Sequence, residues 1–202
     1  MKRFKKIGVQ IVFGFMALLF VSASEMKPNE FTFKVYRGKN HIGKLSSSEF
    51  LENNKTTYTL NYDVKIDVLV NIKIVENITS IFQDKKMLTS VQVRLINGST
   101  KVKNTVVWKD GMYTLKNKDN EINYLKSNIG TSVSTLYIKE PVNMTTVYSE
   151  SYQKLIPLKK LPANKYSILL PDGNTSVYSY KNGLLVEVNS KTTWGNLKFV
   201  KE

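Results

Sequence analysis

Apolar and polar residues alternate along the chain between residues 58 and 74. The even positions carry apolar or aromatic side chains, and the odd positions are polar or charged except for Leu69. A period of two is the pattern of a β-strand with one buried face and one solvated face. A usual strand has about five or six residues, so this long strand is predicted to bend near Asp67 to Val70, where Leu69 interrupts the alternation.

Turn signals divide the rest of the chain into short alternating segments. Asn-Gly and Asp-Gly pairs supply the positive φ angles that tight hairpin turns require. These pairs begin at residues 97, 110, 172 and 182, and further polar turn clusters lie at 37–40, 52–55, 84–86 and 118–120. The pattern predicts an all-β chain, an antiparallel meander of about ten to twelve strands with almost no helix. Two short strands and a loop are predicted for the less regular segment 127–158.

The apolar stripe at residues 58–74 bears on how the sheet is arranged. A strongly curled sheet or barrel of about ten or more strands leaves an internal space wider than its own side chains fill, and an apolar ligand would fit there. The alternative is a β-sandwich, in which the same side chains interlock at close-packed density without a ligand. The predicted lumen residues are Val64, Ile66, Val68, Val70, Ile72 and Ile74.

The N-terminal segment has the order of a secretory signal peptide. A basic head at residues 2–6 precedes an apolar run at 7–21 and a small-residue step that ends at Ala23. Cleavage is predicted after Ala23, which leaves a single β domain at residues 24–202. An uncleaved membrane anchor is the alternative, but the apolar run is shorter than a hydrocarbon core requires. We therefore expect a protein of the cell envelope, in the periplasm or on the extracellular side.

The charge of the chain limits which binding partners are plausible, and its lack of cysteine limits its covalent chemistry. Four of the 30 basic residues and none of the 16 acidic ones lie in the predicted signal, so the mature chain would carry 26 basic residues and a net charge of +10. Export argues against nucleic acid as a partner. The first interpretation is a solvated basic surface, and the functional alternative is attraction to anionic lipid head groups or polysaccharide. Because the sequence contains no cysteine, disulfides are excluded.

Candidate chemistry is sparse. His41 is the one histidine, and a zinc site would need several His or Cys ligands, so neither metal nor cofactor is predicted. Glu140, Glu150 and Asp172 could form an acid/base pair of the glycosidase kind, but the favoured interpretation assigns them to a turn and an irregular loop. The chain is predicted not to be an enzyme. Two tryptophans, Trp108 and Trp194, could pack in the core or mark the mouth of a cavity or a sugar-stacking platform.

Three segments carry a family resemblance: residues 33–45, 137–158 and 169–188. The middle one is the most specific, with Glu140-Pro141 followed by Val147-Tyr148-Ser149-Glu150. Together they resemble an uncharacterised family of exported Bacteroidota proteins known only as a domain of unknown function. The resemblance implies export but no activity. A looser similarity is to lipoprotein-carrier-like envelope proteins, which curl a sheet around acyl chains.

Two functional hypotheses follow. The first is a non-enzymatic periplasmic protein that binds or carries a molecule with an acyl chain, whose burial contributes about 0.8 kcal/mol per CH₂. In this hypothesis a basic rim meets an anionic head group. The second is an envelope interaction module without an internal cavity, which recognises a protein or polysaccharide through a strand edge or the loop 139–153. The candidate interaction residues in that loop are Glu140, Tyr148 and Glu150.

Overall fold

The computed structural model describes residues 28–67, 71–193 and 195–202. The predicted signal peptide at 1–23, the lumen residues Val68 and Val70, and Trp194 lie outside these ranges. No helix in the described ranges is long and apolar enough to cross a membrane.

Fourteen strands and one short helix make up the described chain. The strands are β1 Asn29–Arg37, β2 Asn40–Glu52, β3 Lys55–Asp67, β4 Asn71–Gln83, β5 Lys86–Ile96, β6 Ser99–Lys109, β7 Met112–Lys116, β8 Ile122–Leu125, β9 Thr146–Ser149, β10 Lys154–Leu161, β11 Lys165–Leu169, β12 Thr175–Lys181, β13 Leu184–Thr192 and β14 Gly195–Lys201. The helix, α1, is Val133–Leu136. The predicted all-β class is confirmed, with more strands than the ten to twelve predicted.

The strands form one antiparallel sheet with the order β8-β7-β6-β5-β4-β3-β2-β1-β14-β13-β12-β11-β10-β9. Successive hairpins build each half, and β1 pairs with β14 to join the halves. Within the described residues β8 and β9 are the two ends of the sheet and do not pair with each other. The hydrogen-bonded ladder is therefore not closed within the described residues. The predicted antiparallel meander is confirmed, but its ladder does not close into a barrel. The alternative of a sandwich of two separate sheets is wrong, because one sheet contains all fourteen strands.

The stripe at 58–74 is not one bent strand. Strand β3 ends at Asp67 and β4 begins at Asn71, and these two residues are partners in an antiparallel ladder. The same ladder pairs Val64 with Ile74 and Ile66 with Ile72. The prediction of a single extended strand is therefore corrected to two paired strands. Their apolar residues lie on one face of the sheet.

Most predicted turn residues adopt the backbone that turns require. Asn97-Gly98, Asp110-Gly111 and Asn182-Gly183 all have positive φ. The turn between β10 and β11, with positive φ at Ala163 and Asn164, carries no Gly and was not predicted. The turn-forming residues in the sequence thus predicted most of the hairpin turns, but not the one between β10 and β11.

The segment between β8 and β9 lies over the inner face of the sheet. The prediction of two short strands and a loop for 127–158 is right for β9 and β10 but misses helix α1. After the helix, the Tyr137 ring contacts Phe33 of β1 and Tyr178 of β12 edge-on, with centroids 5.8 Å apart in both pairs. The Tyr180 hydroxyl donates to the Leu136 carbonyl at 2.7 Å. These contacts fix the segment against the sheet.

Candidate functional site

A partly open cleft of about 400 Å³ lies between the inner face of the sheet and the segment around α1. Its volume falls within the usual range of small-molecule sites, about 300–1,000 Å³. One side is a hydrophobic surface, here called the apolar wall, made by Leu60, Ile74, Ile78, Ile168, Leu197 and Phe199. These residues come from strands of both halves because alternate positions of each strand face inward.

Polar side chains that are hydrogen-bonded to one another interrupt the apolar wall, since Glu76 lies between Ile74 and Ile78 on the inner face of β4. The Arg94 guanidinium donates to both carboxylate oxygens of Glu76, at 2.9 and 3.1 Å, and to the Ser151 hydroxyl at 2.9 Å. The Gln92 amide also donates to Glu76 and, at 2.6 Å, to Ser151. We call the lining residues Glu76, Arg94 and Ser151, together with their buried hydrogen-bond partner Gln92, the polar end. Since the Arg94 charge is already neutralised, the polar end is a poor anion site.

More carboxyl groups than cationic groups line the cleft. Glu76, Glu150 and Asp172 face a single cation, Arg94, and no lysine is among the described lining residues. Burial, followed by a hydrogen bond to Asp172, raises the pKa of the Tyr152 hydroxyl to about 12. The rim suggested by the sequence as a partner for an anionic head group is therefore not basic on this side of the sheet.

Beneath the cleft lies a buried polar cluster centred on Glu150. The Ser134 backbone N–H donates to Oε1 of Glu150 at 3.2 Å, and the Ser80 hydroxyl does so at 3.5 Å. Ser134 also donates to Ser80 at 3.2 Å, and Ser80 shares a hydrogen bond of 2.9 Å with Ser90. The side chain of Glu150 is only 2% exposed, and burial raises its pKa above the ordinary value. A protonated carboxyl is the form that this environment favours.

Two atoms in this region have no hydrogen-bond partner within the described part of the chain. They are Oε2 of Glu150 and the hydroxyl of Tyr148. Burial, with a further contribution from the Glu150 charge, raises the Tyr148 pKa well above its ordinary value. The two groups can therefore both be neutral, which is how an interior tolerates polar atoms that lack partners.

The structure separates the predicted lumen residues. Ile74 lines the cleft, whereas Val64, Ile66 and Ile72 are buried in the hydrophobic core without lining it. Val68 and Val70 lie outside the described residues. The inner strand face is thus the face that bears the cleft, but the cleft covers only the part of the stripe around Leu60, Tyr62 and Ile74.

The predicted interaction residues do not share a surface. Tyr148 is fully buried and Glu150 nearly so, which leaves neither side chain available to a partner. Glu140 accepts a hydrogen bond of 2.9 Å from the Tyr166 hydroxyl, away from the cleft. Asp172 does set a turn, as expected, because it accepts the Asn174 backbone N–H at 3.0 Å.

The remaining sequence candidates lie apart from the cleft. His41 is exposed and its ring contacts that of Tyr36, with centroids 5.6 Å apart. The Trp108 ring packs on Tyr113 at 4.7 Å and lies under Lys86. No group of three His, Cys, Asp or Glu residues in the described ranges could hold a metal ion.

The polar end was missed by sequence analysis although a signal was present. In β5 the polar residues Ser90, Gln92 and Arg94 alternate with apolar ones, so the period of two was visible. We expected the apolar residues of each strand to face inward. In this part of β5 the reverse holds, since Ser90 and Gln92 are buried while Val91 is exposed.

Comparisons with known proteins agree with the fold. A crystal structure of a beta-barrel-like protein of domain of unknown function DUF1849 from Brucella abortus superposes with a TM-score of 0.61 over 87% of this chain and 95% of that chain, at 11% identity. At this identity the likeness shows the fold alone. No curated protein matches the chain.

The predicted resemblance to a family of unknown function is confirmed. The Bacteroidota origin and the likeness to lipoprotein carriers stay predictions. The model of the family described as domain of unknown function DUF6134 matches residues 33–202. Since this match spans most of the sequence, the chain belongs to the DUF6134 family.

Proposed function

We propose that this protein is a non-enzymatic binding protein that holds a small amphiphilic molecule in the cleft. The observation that carries the proposal is the cleft itself, about 400 Å³, whose lining includes both the apolar wall and a hydrogen-bonded polar cluster around Glu76 and Arg94. Such a lining suits a ligand whose apolar chain lies on the wall and whose head group lies at the polar end. Each CH₂ removed from water would contribute about 0.8 kcal/mol.

The head group of this ligand is uncharged or cationic rather than anionic. Glu76 and Asp172 are satisfied acceptors, and the one cation of the described lining, Arg94, is paired with Glu76. An anionic head would have to displace Glu76 from Arg94 and would lie in the same cleft as the Asp172 carboxylate. Hydroxyl or amide groups, by contrast, could exchange hydrogen bonds with Ser151 or Ser190 at the cleft surface.

Export belongs to the same proposal. The basic head, apolar run and small-residue step at residues 1–23 have the order of a cleaved signal, which would deliver the protein to the cell envelope. A binding protein that acts there meets lipids and other amphiphiles from the adjoining membranes.

Native mass spectrometry of the protein purified from its own envelope tests the proposal. We expect a population with added mass, and organic extraction should release the ligand for identification. A clean ligand-free mass from freshly purified protein would contradict the proposal.

A pair of serine variants tests whether the cleft is where the ligand binds. Ser190 lines the cleft, and its hydroxyl is 2.8 Å from that of Ser176. Ser190→Phe should fill part of the cleft and remove most of the bound ligand. Ser179 on β12 does not line the cleft and pairs in the ladder with Glu187, so Ser179→Phe should retain the ligand. Equal retention by both folded variants would place the ligand elsewhere.

A further inference from the structure

The outer face of β5 to β8 carries exposed apolar side chains next to one another. In the ladders, Val91 pairs with Thr105, Thr105 with Lys116, and Lys116 with Ile122, so these four residues form one row across four strands. A parallel row runs through Thr89, Val107, Thr114 and Tyr124. Val91, Val107, Ile122 and Tyr124 are 43%, 47%, 54% and 67% exposed. Apolar residues clustered in this way on a solvated face mark an interaction surface.

Lysines surround these apolar residues. Lys101, Lys103 and Lys109 occupy outward positions of β6, in phase with Val107, and Lys116 lies between Thr105 and Ile122. All four lysines are exposed, and none forms an ion pair with a described residue. We call these lysines and the four apolar residues the basic face.

Acidic residues are missing from the outward positions of these four strands. Asp110, Asp119 and Glu121 lie only in the turns at the strand ends. On β1 and β14, by contrast, outward lysines pair with carboxylates, Lys34 with Glu202 at 3.1 Å and Lys198 with Glu187 at 2.8 Å. On the outer face of these four strands, positive charge therefore lies beside exposed apolar side chains without a carboxylate on the same strands to compensate it.

We infer that the basic face docks the protein on a lipid bilayer that contains anionic head groups. Lysines would contact the head groups, while Val107, Ile122 and Tyr124 would enter the boundary between head groups and acyl chains. An anionic polysaccharide would account for the lysines but not for exposed Val and Ile between them. The inference goes beyond the proposed function, because Gln92 and Arg94 of the polar end lie on the opposite side of β5 from Val91.

Vesicle binding of the exported protein tests this inference. Sedimentation with vesicles of equimolar phosphatidylglycerol and phosphatidylcholine should capture the protein, and vesicles of phosphatidylcholine alone should capture far less. Each lysine near an anionic surface contributes a factor of about five, so neutralising four should lower the partition coefficient by about a hundredfold or more. The test variant is K101Q/K103Q/K109Q/K116Q.

A matched control removes the same charge from the rest of the outer face. The variant K34Q/K65Q/K73Q/K198Q neutralises four lysines that pair with carboxylates. It should keep most of the affinity for anionic vesicles. If an uncleaved leader anchored the protein, it would do so in both variants and could not cause a difference between them. Equal losses in the two variants, or no capture of the unmodified protein by anionic vesicles, would overturn the inference. Lysine-dependent binding to a soluble acidic polysaccharide without vesicle capture would overturn it as well.

A fluorescence experiment tests separately whether the apolar residues of the basic face insert into the bilayer. Because the sequence has no cysteine, Val107→Cys offers a single site for an environment-sensitive fluorophore. Its emission should shift to the blue on anionic vesicles, whereas the same label at Lys65→Cys, on β3, should not shift. An unchanged spectrum at both positions while the protein is bound would contradict insertion.

Discussion

The side-chain amide of Asn104 donates a hydrogen bond of 2.8 Å to the backbone carbonyl of Glu150. The same amide donates to the Ser151 carbonyl at 3.1 Å. Asn104 is on β6, near one end of the strand order, and Glu150 follows β9, at the other end. One buried amide therefore connects two regions that the hydrogen-bonded ladder leaves far apart.

Replacing Asn104 should destabilise the protein. Asn104→Ala leaves two buried or partly buried carbonyl groups without this donor, which should cost about 1–3 kcal/mol in the free energy of unfolding. Chemical denaturation measures the change. Asn77, an exposed residue whose amide donates to Asn61, is the control, and Asn77→Ala should cost no more than about 1 kcal/mol. Equal losses in the two variants would show that the hydrogen bonds of Asn104 stabilise the protein no more than the exposed one of Asn77 does.

Glu150 should make stability depend on pH. Its pKa is raised in the folded state by burial, so the folded protein holds this proton more tightly than the unfolded chain does. The free energy of unfolding should therefore fall as pH rises from the ordinary pKa of a glutamate through the raised one, by about 1.4 kcal/mol per unit of pKa shift. Glu150→Gln, which mimics the neutral acid, should remove this component.

Denaturation midpoints from mildly acidic to neutral pH test the Glu150 prediction. The stability of Glu150→Gln relative to the unmodified protein should increase with pH across that interval. Glu30→Gln, at an exposed position of β1, controls for the loss of one negative charge. Parallel pH profiles for Glu150→Gln and the unmodified protein would refute a buried titrating carboxyl.

The strands and most turns could be predicted because they depend on local signals. The reversal between β3 and β4 could not. Its partners, such as Val64 with Ile74, are both even-numbered, so the alternation continues through the reversal with unchanged phase. The sequence Val68-Leu69-Val70 also contains no Gly, Asn or Pro to indicate a turn.

The site was less predictable because it depends on contacts between distant segments. Nothing local shows that Glu150 lies beside Ser80, seventy residues earlier in the chain. In β5 the alternation was visible, but it does not reveal which set of residues faces inward. Arg94 can lie on the inner side because Glu76, on the neighbouring strand, and Ser151 supply acceptors for its guanidinium.

The ion pair between Arg94 and Glu76 should matter more than surface ion pairs. The two side chains are 31% and 13% exposed, so Glu76→Gln leaves a partly buried guanidinium without its carboxylate. We expect a loss of about 1–3 kcal/mol in the free energy of unfolding. Lys65 and Asp67 are 4.0 Å apart and 62% and 66% exposed, so Asp67→Asn should change stability by less than about 1 kcal/mol. Indistinguishable losses in denaturation experiments would contradict this ranking.

Gly43 should be the least replaceable glycine of the strands. It lies in β2 opposite Val64, with φ of +151°, and a Cβ atom added there would come within 2.2 Å of the Asp63 carbonyl oxygen. Gly43→Ala should therefore cost roughly 3 kcal/mol or more, from backbone strain and steric overlap together. Gly111 has φ of +81° but no atom within 4 Å of an added Cβ, so Gly111→Ala should cost only about 1–2 kcal/mol. If denaturation gave equal losses for the two variants, backbone strain alone would account for both, and the close approach of β2 to β3 at Gly43 would have no energetic weight.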